Sequence, residues 1–237
     1  MKRFLSVLFL TLLSHLFLFA TQSLGKLDFL RCEYLVTPLG VDVPTPRFSW
    51  RLPAHLNKQQ AYQVIVGTDS VAVANGTGGA WDSGKILSSE VLTVYAGKAM
   101  QPYTRYYWKV SVWDDANNNY TSAVSHFETG LMGMHNWKGS WISDTHDYRL
   151  KPAAYFRKAF DAGRKIRQAR AYIAVAGLYE LSINGTRVGD HRLDPAYTRF
   201  DRRTLYLTHD ITQLLQQGDN AVGVLLGNGW YNHQSTA

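Results

Sequence analysis

Short apolar and aromatic runs alternate with turn-forming residues along most of the chain beyond its first 27 residues. An alternation of period two is typical of half-buried β-strands, and between residues 28 and 131 no stretch keeps the three-to-four spacing of an amphipathic helix. The pattern therefore predicts a region of strands only, at residues 47–52, 61–68, 91–95, 106–113 and 122–129, with turns at 75–79 and 114–119. This number of strands and their spacing predict a small β-sandwich over residues 28–131.

The segment that leads into the longest alternating strand carries a more specific signal. Pro102, Thr104 and Tyr106 follow one another at two-residue steps. This is the pattern of a tyrosine corner, in which the tyrosine hydroxyl bonds to upstream backbone and fixes the crossing between two sheets. With Trp50 and Trp108 as predicted core aromatics, the region resembles a fibronectin type III domain. The alternative is an unrelated hairpin with the same alternation. Such domains usually act as spacers, and we assign no chemistry to this one.

A glycine-punctuated segment at residues 130–135 separates this region from a second one, because the aromatic strand pattern restarts at Trp137. The sequence predicts a second β domain over residues 137–237, with strands at 154–160, 168–176, 178–183, 204–207 and 221–226. Asn184 and Gly185 tolerate the positive φ of a two-residue turn, so they predict a hairpin directly after the strand at 178–183. Asp210 is the expected N-cap of a short helical turn over residues 210–215.

The first residues predict a secretory signal peptide. Lys2 and Arg3 form a basic start, and an apolar run follows over residues 4–20. The alternative is a membrane-anchoring helix, but Ser14 and His15 interrupt the apolar run and no cluster of charges follows it closely. We expect a leader at residues 1–23, cleaved near residues 20–23, and a mature protein that is secreted or periplasmic, without a stable membrane anchor.

Composition excludes several classes of function. The net charge of +7 comes from scattered basic residues, without the aromatic-interleaved basic stripe that nucleic-acid binding requires, so no nucleic-acid partner is expected. Cys32 is the chain's one cysteine and has no internal disulfide partner, so we expect it to be buried. The histidines show no zinc spacing, and no phosphate-binding glycine loop or nucleophile elbow is present.

Several segments in order carry a resemblance to a known family. They include residues 177–190 with the Asn-Gly turn, the loop at 193–203, and the run Asn228-Gly229-Trp230-Tyr231. Together these segments resemble the N-terminal domain of bacterial α-L-rhamnosidases of glycoside hydrolase family 78. Residues 30–50 resemble the start of the fibronectin-like domain that precedes it in that family. The sugar-binding domain of β-galactosidases and β-glucuronidases shares the Asn-Gly hairpin but is not expected to share the loop at 193–203 or the run at 228–231.

The resemblance implies an all-β chain, in which a fibronectin type III-like sandwich is followed by a jelly-roll-like β-sandwich. In the family the catalytic carboxylates lie on a helical (α/α)6 barrel well beyond this second domain, so the resemblance implies no catalytic residue here. Relatives continue with further strands of the same sandwich, so we expect the second domain to be incomplete and prone to aggregate. Asp190, Asp194 and Asp201 are expected to form turns or to pair with arginines.

For carbohydrate binding we select Asn228, Trp230 and Tyr231, with Asp194 next. Amide and carboxylate groups satisfy sugar hydroxyls, and an aromatic ring stacks on the apolar face of a pyranose. The alternative places Trp230 in the core and Asn228 in a turn. In some rhamnosidases the comparable domain binds rhamnose together with calcium. The resemblance therefore makes Asp190, Asp194 and Asp201 candidate calcium ligands, with no other cofactor expected.

Three interpretations of function remain open. The first is the non-catalytic front part of a secreted enzyme that releases rhamnose from glycans or glycosides. The second is a stand-alone carbohydrate-binding or adhesion module without hydrolase activity. The third is the front part of a β-galactosidase-like enzyme. The first two share an expected partner, a rhamnose-containing carbohydrate.

Overall fold

The computed structural model describes residues 27–145 and 154–231. The predicted leader lies outside the described residues. Within those two ranges, no helix is both long and apolar enough to span a membrane. Strands dominate and pair in several antiparallel sheets, which confirms the all-β prediction.

The first domain contains two facing sheets. Its strands are β1 (Asp28–Cys32), β2 (Arg47–Arg51), β3 (Ala61–Gly67), β4 (Trp81–Asp82), β5 (Ile86–Leu87), β6 (Leu92–Val94), β7 (Arg105–Trp113), β8 (Asn119–Thr121) and β9 (Ser125–Glu128). One sheet has the order β1-β2-β6. The other is built on the long β3–β7 pair, with β4 and β5 on β3 and with β8 and β9 on β7.

The prediction of strands only was wrong at one position in this domain. Residues Ser70–Ala74 form a short helix, α1, which Asp69 caps by accepting hydrogen bonds from the backbone N–H groups of Val71 and Ala72 at 2.8 and 3.0 Å. A helix of one turn is too short to show a helical period, so local capping determines it. Of the strand predicted at 122–129, only Ser125–Glu128 (β9) forms, and β8 precedes it at Asn119–Thr121, where the predicted turn at 114–119 ends.

Alternation in β7 accounts for the first core. Tyr106, Trp108, Val110 and Val112 point inwards, and their neighbours along the strand are half-buried. Phe48 of β2 packs against Trp108 from the opposite sheet, with ring centroids 4.7 Å apart. Trp50 and Trp108 are both buried, as predicted.

The tyrosine corner is confirmed. The Tyr106 hydroxyl accepts a hydrogen bond from the backbone N–H of Gln101 at 2.9 Å, and its ring stacks on Phe127. Cys32 is buried as expected, and this burial raises the pKa of its thiol to about 12. The first domain therefore has a closed core without a disulfide.

The second domain has a four-stranded sheet and a two-stranded ribbon. Its strands are β10 (Tyr155–Ala162), β11 (Arg170–Ala174), β12 (Leu178–Ile183), β13 (Thr186–Arg187), β14 (Tyr206–Asp210) and β15 (Gly218–Gly227). The sheet has the order β10-β15-β12-β13, and β11 pairs with β14 in the ribbon. A smaller core of Leu181, Ile183, Val188 and Ile211 lies between them.

The Asn-Gly hairpin is confirmed. Ile183 pairs with Thr186, and Asn184 and Gly185 between them have φ values of 51° and 80°. The predicted N-cap, Asp210, is wrong by one residue. Thr212–Leu214 form a 3-10 turn whose N-cap is Ile211, while the Asp210 carboxylate accepts the Thr212 N–H at 2.9 Å from outside the turn.

Candidate carbohydrate-binding cleft

A cleft of about 510 Å³ opens at one end of the second domain. We call it the aromatic cleft. Its walls come from the start of β12, the residues after β15 and the loop at 193–200, and they consist of Gly177, Leu178, Leu193, Pro195, Tyr197, Phe200, Gly229 and Trp230. Most of these residues are apolar, which is usual for a small-molecule site.

Gly177 brings the two strand ends of the cleft close together. Its φ of 116° is a conformation that other residues rarely adopt, and a Cβ at this position would lie 2.8 Å from the Gly227 carbonyl oxygen. The end of β15 therefore passes directly against the start of β12. Gly229, the residue before Trp230, lies against Leu178, because a Cβ on Gly229 would be 3.2 Å from Cγ of Leu178.

Exposed aromatic rings surround the cleft. The rings of Tyr197 and Trp230 meet edge to face, with centroids 6.2 Å apart. The ring centroid of Phe200 lies 5.7 Å from that of Tyr197 and 5.7 Å from that of Tyr231. The side chain of Trp230 is 67% exposed, and Tyr197 and Tyr231 are exposed as well. Among the described residues this exposure does not agree with the alternative that places Trp230 in the core. The rings offer the kind of surface on which a pyranose stacks.

Asp194 lies beside the cleft and is held by the loop around it. Its carboxylate is 3.2 Å from Nδ1 of His191, and its carbonyl oxygen accepts the N–H of Tyr179 at 3.1 Å. The Tyr179 hydroxyl is hydrogen-bonded to Nε2 of His209 at 2.7 Å. Burial raises the pKa of Tyr179 and lowers the pKa of His209, which favours the neutral form of both groups. Tyr179, which is held by a hydrogen bond to a neutral His209, thus anchors the loop at Asp194 through its backbone N–H.

The three aspartates of the loop do not form a metal-binding group among the described residues. Asp201 pairs with Arg199 at 2.9 Å, which agrees with the expected arginine pairing. The side chain of Asp190 is fully exposed, and His191 lies 3.8 Å from it. Across the described part of the chain, no group of three or more His, Cys, Asp or Glu side chains could hold a metal ion. The structure therefore does not assemble Asp190, Asp194 and Asp201 into a ligand set, and calcium binding stays a prediction.

Of the four predicted carbohydrate-binding residues, only Trp230 lines the cleft directly. Tyr231 extends the aromatic rim, Asp194 precedes the lining residue Pro195, and Asn228 is half-buried immediately before the turn that carries Trp230. Sequence reasoning missed Tyr197 and Phe200. The signal was two aromatic residues three apart in the loop at 193–203.

Comparison with known families is consistent with this arrangement. Residues 27–133 match the model of the Rha78A-like N-terminal immunoglobulin domain, and residues 164–237 match the alpha-L-rhamnosidase N-terminal domain. The chain corresponds to the N-terminal part of the proteins of the α-L-rhamnosidase family. The matching model assigns the first domain to the immunoglobulin class, whose sandwich architecture fibronectin type III domains share.

Individual relatives lead to the same family. An alpha-L-rhamnosidase of Formosa agariphila is 35% identical over 220 residues, which are 82% of this chain and 23% of that protein. The solved alpha-L-rhamnosidase of Dictyoglumus thermophilum is 43% identical with a TM-score of 0.81, over 87% of this chain and 25% of that one. The enzyme from Aspergillus terreus is 28% identical with a TM-score of 0.74, over 87% of this chain and 24% of that one. The chain thus spans about a quarter of the length of these α-L-rhamnosidases.

Proposed function

We propose that the chain is the non-catalytic N-terminal region of a secreted α-L-rhamnosidase, which hydrolyses terminal α-L-rhamnose from glycans or glycosides. The observation that carries this proposal is the order of the two matched domains, together with the similarity in sequence and fold to the first quarter of a solved α-L-rhamnosidase. The catalytic carboxylates are then supplied by a separate domain of the same enzyme.

The test compares this chain with the chain joined to the protein sequence that its gene encodes downstream. We expect the joined protein to release 4-nitrophenol from 4-nitrophenyl α-L-rhamnopyranoside and the 237-residue chain to release none. The β-D-galactopyranoside of the same leaving group is the matched substrate control. Cleavage of the galactoside in place of the rhamnoside would contradict the proposal, and so would unrelated downstream sequence.

Secretion is a separate part of the proposal. It is supported by the basic start and apolar run of residues 1–20. Expression of the full chain in a bacterial host should yield a periplasmic or extracellular protein whose first residue, determined by mass spectrometry, follows a position between 20 and 23. A cytoplasmic protein that keeps Lys2 and Arg3 would contradict it.

We also propose that the aromatic cleft binds a rhamnose-containing carbohydrate. The exposed rings of Tyr197 and Trp230 on an apolar cleft favour this second role, because such rings stack on a pyranose. Calorimetric titration of the chain with L-rhamnose should show binding heat, and Trp230→Ala should weaken the affinity at least tenfold.

The matched control for this titration is Trp141→Ala, because Trp141 is 70% exposed and does not line the cleft. It should leave the affinity unchanged. A titration in EDTA tests the calcium prediction, since loss of binding that calcium restores would support it. Equal affinity of the wild type and Trp230→Ala, or no heat with L-rhamnose, would contradict rhamnose binding at the cleft.

A further inference from the structure

The ribbon of β11 and β14 lies between the second core and the first domain. Period-two alternation gives it two faces. On one face, Ala171 and Ile173 pack against the core of the second domain. On the other face, three cross-strand pairs point to the first domain, and these are Arg170 with Asp210, Tyr172 with Thr208, and Ala174 with Tyr206.

Tyr206 enters a narrow slot in the first domain. Its hydroxyl donates a hydrogen bond to the Asp42 carboxylate at 2.8 Å and accepts one from the backbone N–H of Leu131 at 3.1 Å. Asp42 also accepts the N–H of Met132 at 2.8 Å. One tyrosine of the ribbon therefore joins two separate segments of the first domain.

Two glycines of the first domain make room for the ribbon. A Cβ on Gly130 would overlap the Tyr206 hydroxyl, and a Cβ on Gly40 would lie 2.5 Å from Oγ1 of Thr208. Gly40 also has a φ of 78°, whereas Gly130 has no positive φ. At Gly130 a side chain is thus excluded first by the Tyr206 hydroxyl of the ribbon and not by a positive φ, and Oδ1 of Asp42 and the Gly40 carbonyl oxygen also lie close.

A charged cluster closes the other end of this contact. Glu128 of the first domain is only 3% exposed, and its carboxylate accepts two hydrogen bonds from Arg170 of the ribbon, each at 2.7 Å. Arg105 of β7 donates to the same carboxylate at 2.7 Å, and Arg170 also pairs with Asp210. Two-pronged pairing of an arginine with a carboxylate fixes orientation as well as distance.

Aromatic contacts fill the space between the slot and the charged cluster. Tyr103 of the first domain meets Tyr172 edge to face at 5.1 Å, and Tyr172 lies 6.1 Å from Tyr206. Trp137, at the start of the second domain, contacts Tyr206 on another side, with ring centroids 6.1 Å apart. The contact therefore combines apolar packing, hydrogen bonds and an ion-pair cluster.

We propose that this face of the first domain is a docking platform for the β11–β14 ribbon, so that the first domain holds the second in place instead of serving as a flexible spacer. A two-stranded ribbon alone is marginally stable in water, and the second core covers only one of its faces. The platform supplies the cover for the other face. This inference does not depend on which sugar the aromatic cleft binds.

Hydrogen exchange of the intact chain, followed by mass spectrometry, tests the platform. Gly130→Ala introduces a methyl group that would overlap the Tyr206 hydroxyl, its closest neighbour. Within the first domain the methyl group would also lie 2.7 Å from Oδ1 of Asp42 and 3.1 Å from the Gly40 carbonyl oxygen. We expect exchange in β11 and β14 to become at least tenfold faster, with β3 and β7 unchanged. Gly79→Ala is the matched control, because a Cβ there meets nothing within 4 Å. It should change neither set of strands.

A second variant keeps the test decisive if Gly130→Ala does not fold. Tyr206→Phe retains the ring but loses both hydrogen bonds, and it should speed exchange in β11 and β14 at least fivefold. Tyr95→Phe is its control, since the Tyr95 hydroxyl donates to the Lys98 carbonyl inside the first domain. Unchanged exchange of the ribbon in Tyr206→Phe would overturn the proposal. Equal acceleration of β3 and β7 would also overturn it, because the effect would then be a general loss of stability.

Discussion

The two domains differ in how far their aromatic residues are buried. In the first domain Phe48, Trp108 and Phe127 are completely buried in one closed core that joins both sheets. In the second domain Trp230 and Tyr231 are exposed, and the fully buried apolar residues are few. A closed aromatic core stabilises a domain by itself, whereas exposed rings are available for a ligand. The difference indicates that the first domain carries the larger closed core, and it agrees with the recognition role that we propose for the second.

The largest expected effect comes from opening the closed core. Trp108→Ala removes a fully buried indole that packs against Phe48, so it should lower the free energy of unfolding by about 3–5 kcal/mol. Urea denaturation followed by tyrosine fluorescence and circular dichroism measures this loss. A change below about 1 kcal/mol would contradict the view that this core stabilises the domain.

Local signals made the first core and the hairpin predictable from sequence. Alternation along β7 places Trp108 in the core, and the two-residue spacing before Tyr106 predicts the tyrosine corner. The Asn184–Gly185 pair specifies a turn by backbone conformation alone. Each of these features is encoded within about ten residues. They were accordingly confirmed.

The missed features depend on residues far apart in the chain. Tyr197 reaches Trp230 only because a loop folds over the end of β15, and Arg170 reaches Glu128 across 42 positions. No periodicity reports such contacts, so the lining of the cleft and the platform could not be predicted. Strands of two residues, such as β4 and β5, are also too short to show an alternation.

The next effect concerns the charged cluster between the domains. Burial by itself would raise the pKa of Glu128, but hydrogen bonds from Arg170 and Arg105 outweigh it and hold the pKa below its usual value. A carboxylate with a lowered pKa stabilises the folded state above its unfolded pKa of about 4.3, and this contribution is lost as the pH falls through the folded value. Glu128→Gln should therefore cost about 2 kcal/mol at pH 7.

The pH dependence separates this cluster from ordinary surface pairs. In Glu128→Gln, stability should fall less steeply below about pH 4.3 than in the wild type, because one titrating carboxylate is missing. Asp28→Asn is the matched control, since its ion pair with Arg51 is exposed on both sides and should matter little. Thermal unfolding from pH 3 to 7 measures both variants. Identical profiles for the wild type and Glu128→Gln would show that the cluster contributes no stability.

The smallest expected effect is that of removing an exposed tryptophan from the second domain. Trp230→Ala removes the same side chain as Trp108→Ala, but at a position that is 67% exposed on the rim of the aromatic cleft. Little apolar area is returned to water, so the free energy of unfolding should change by about 0.5 kcal/mol or less. The same urea denaturation measures it, with Trp141→Ala as the exposed control. A loss comparable to that of Trp108→Ala would mean that the cleft is part of a core, and the division between a stabilising first domain and a recognising second one would fail.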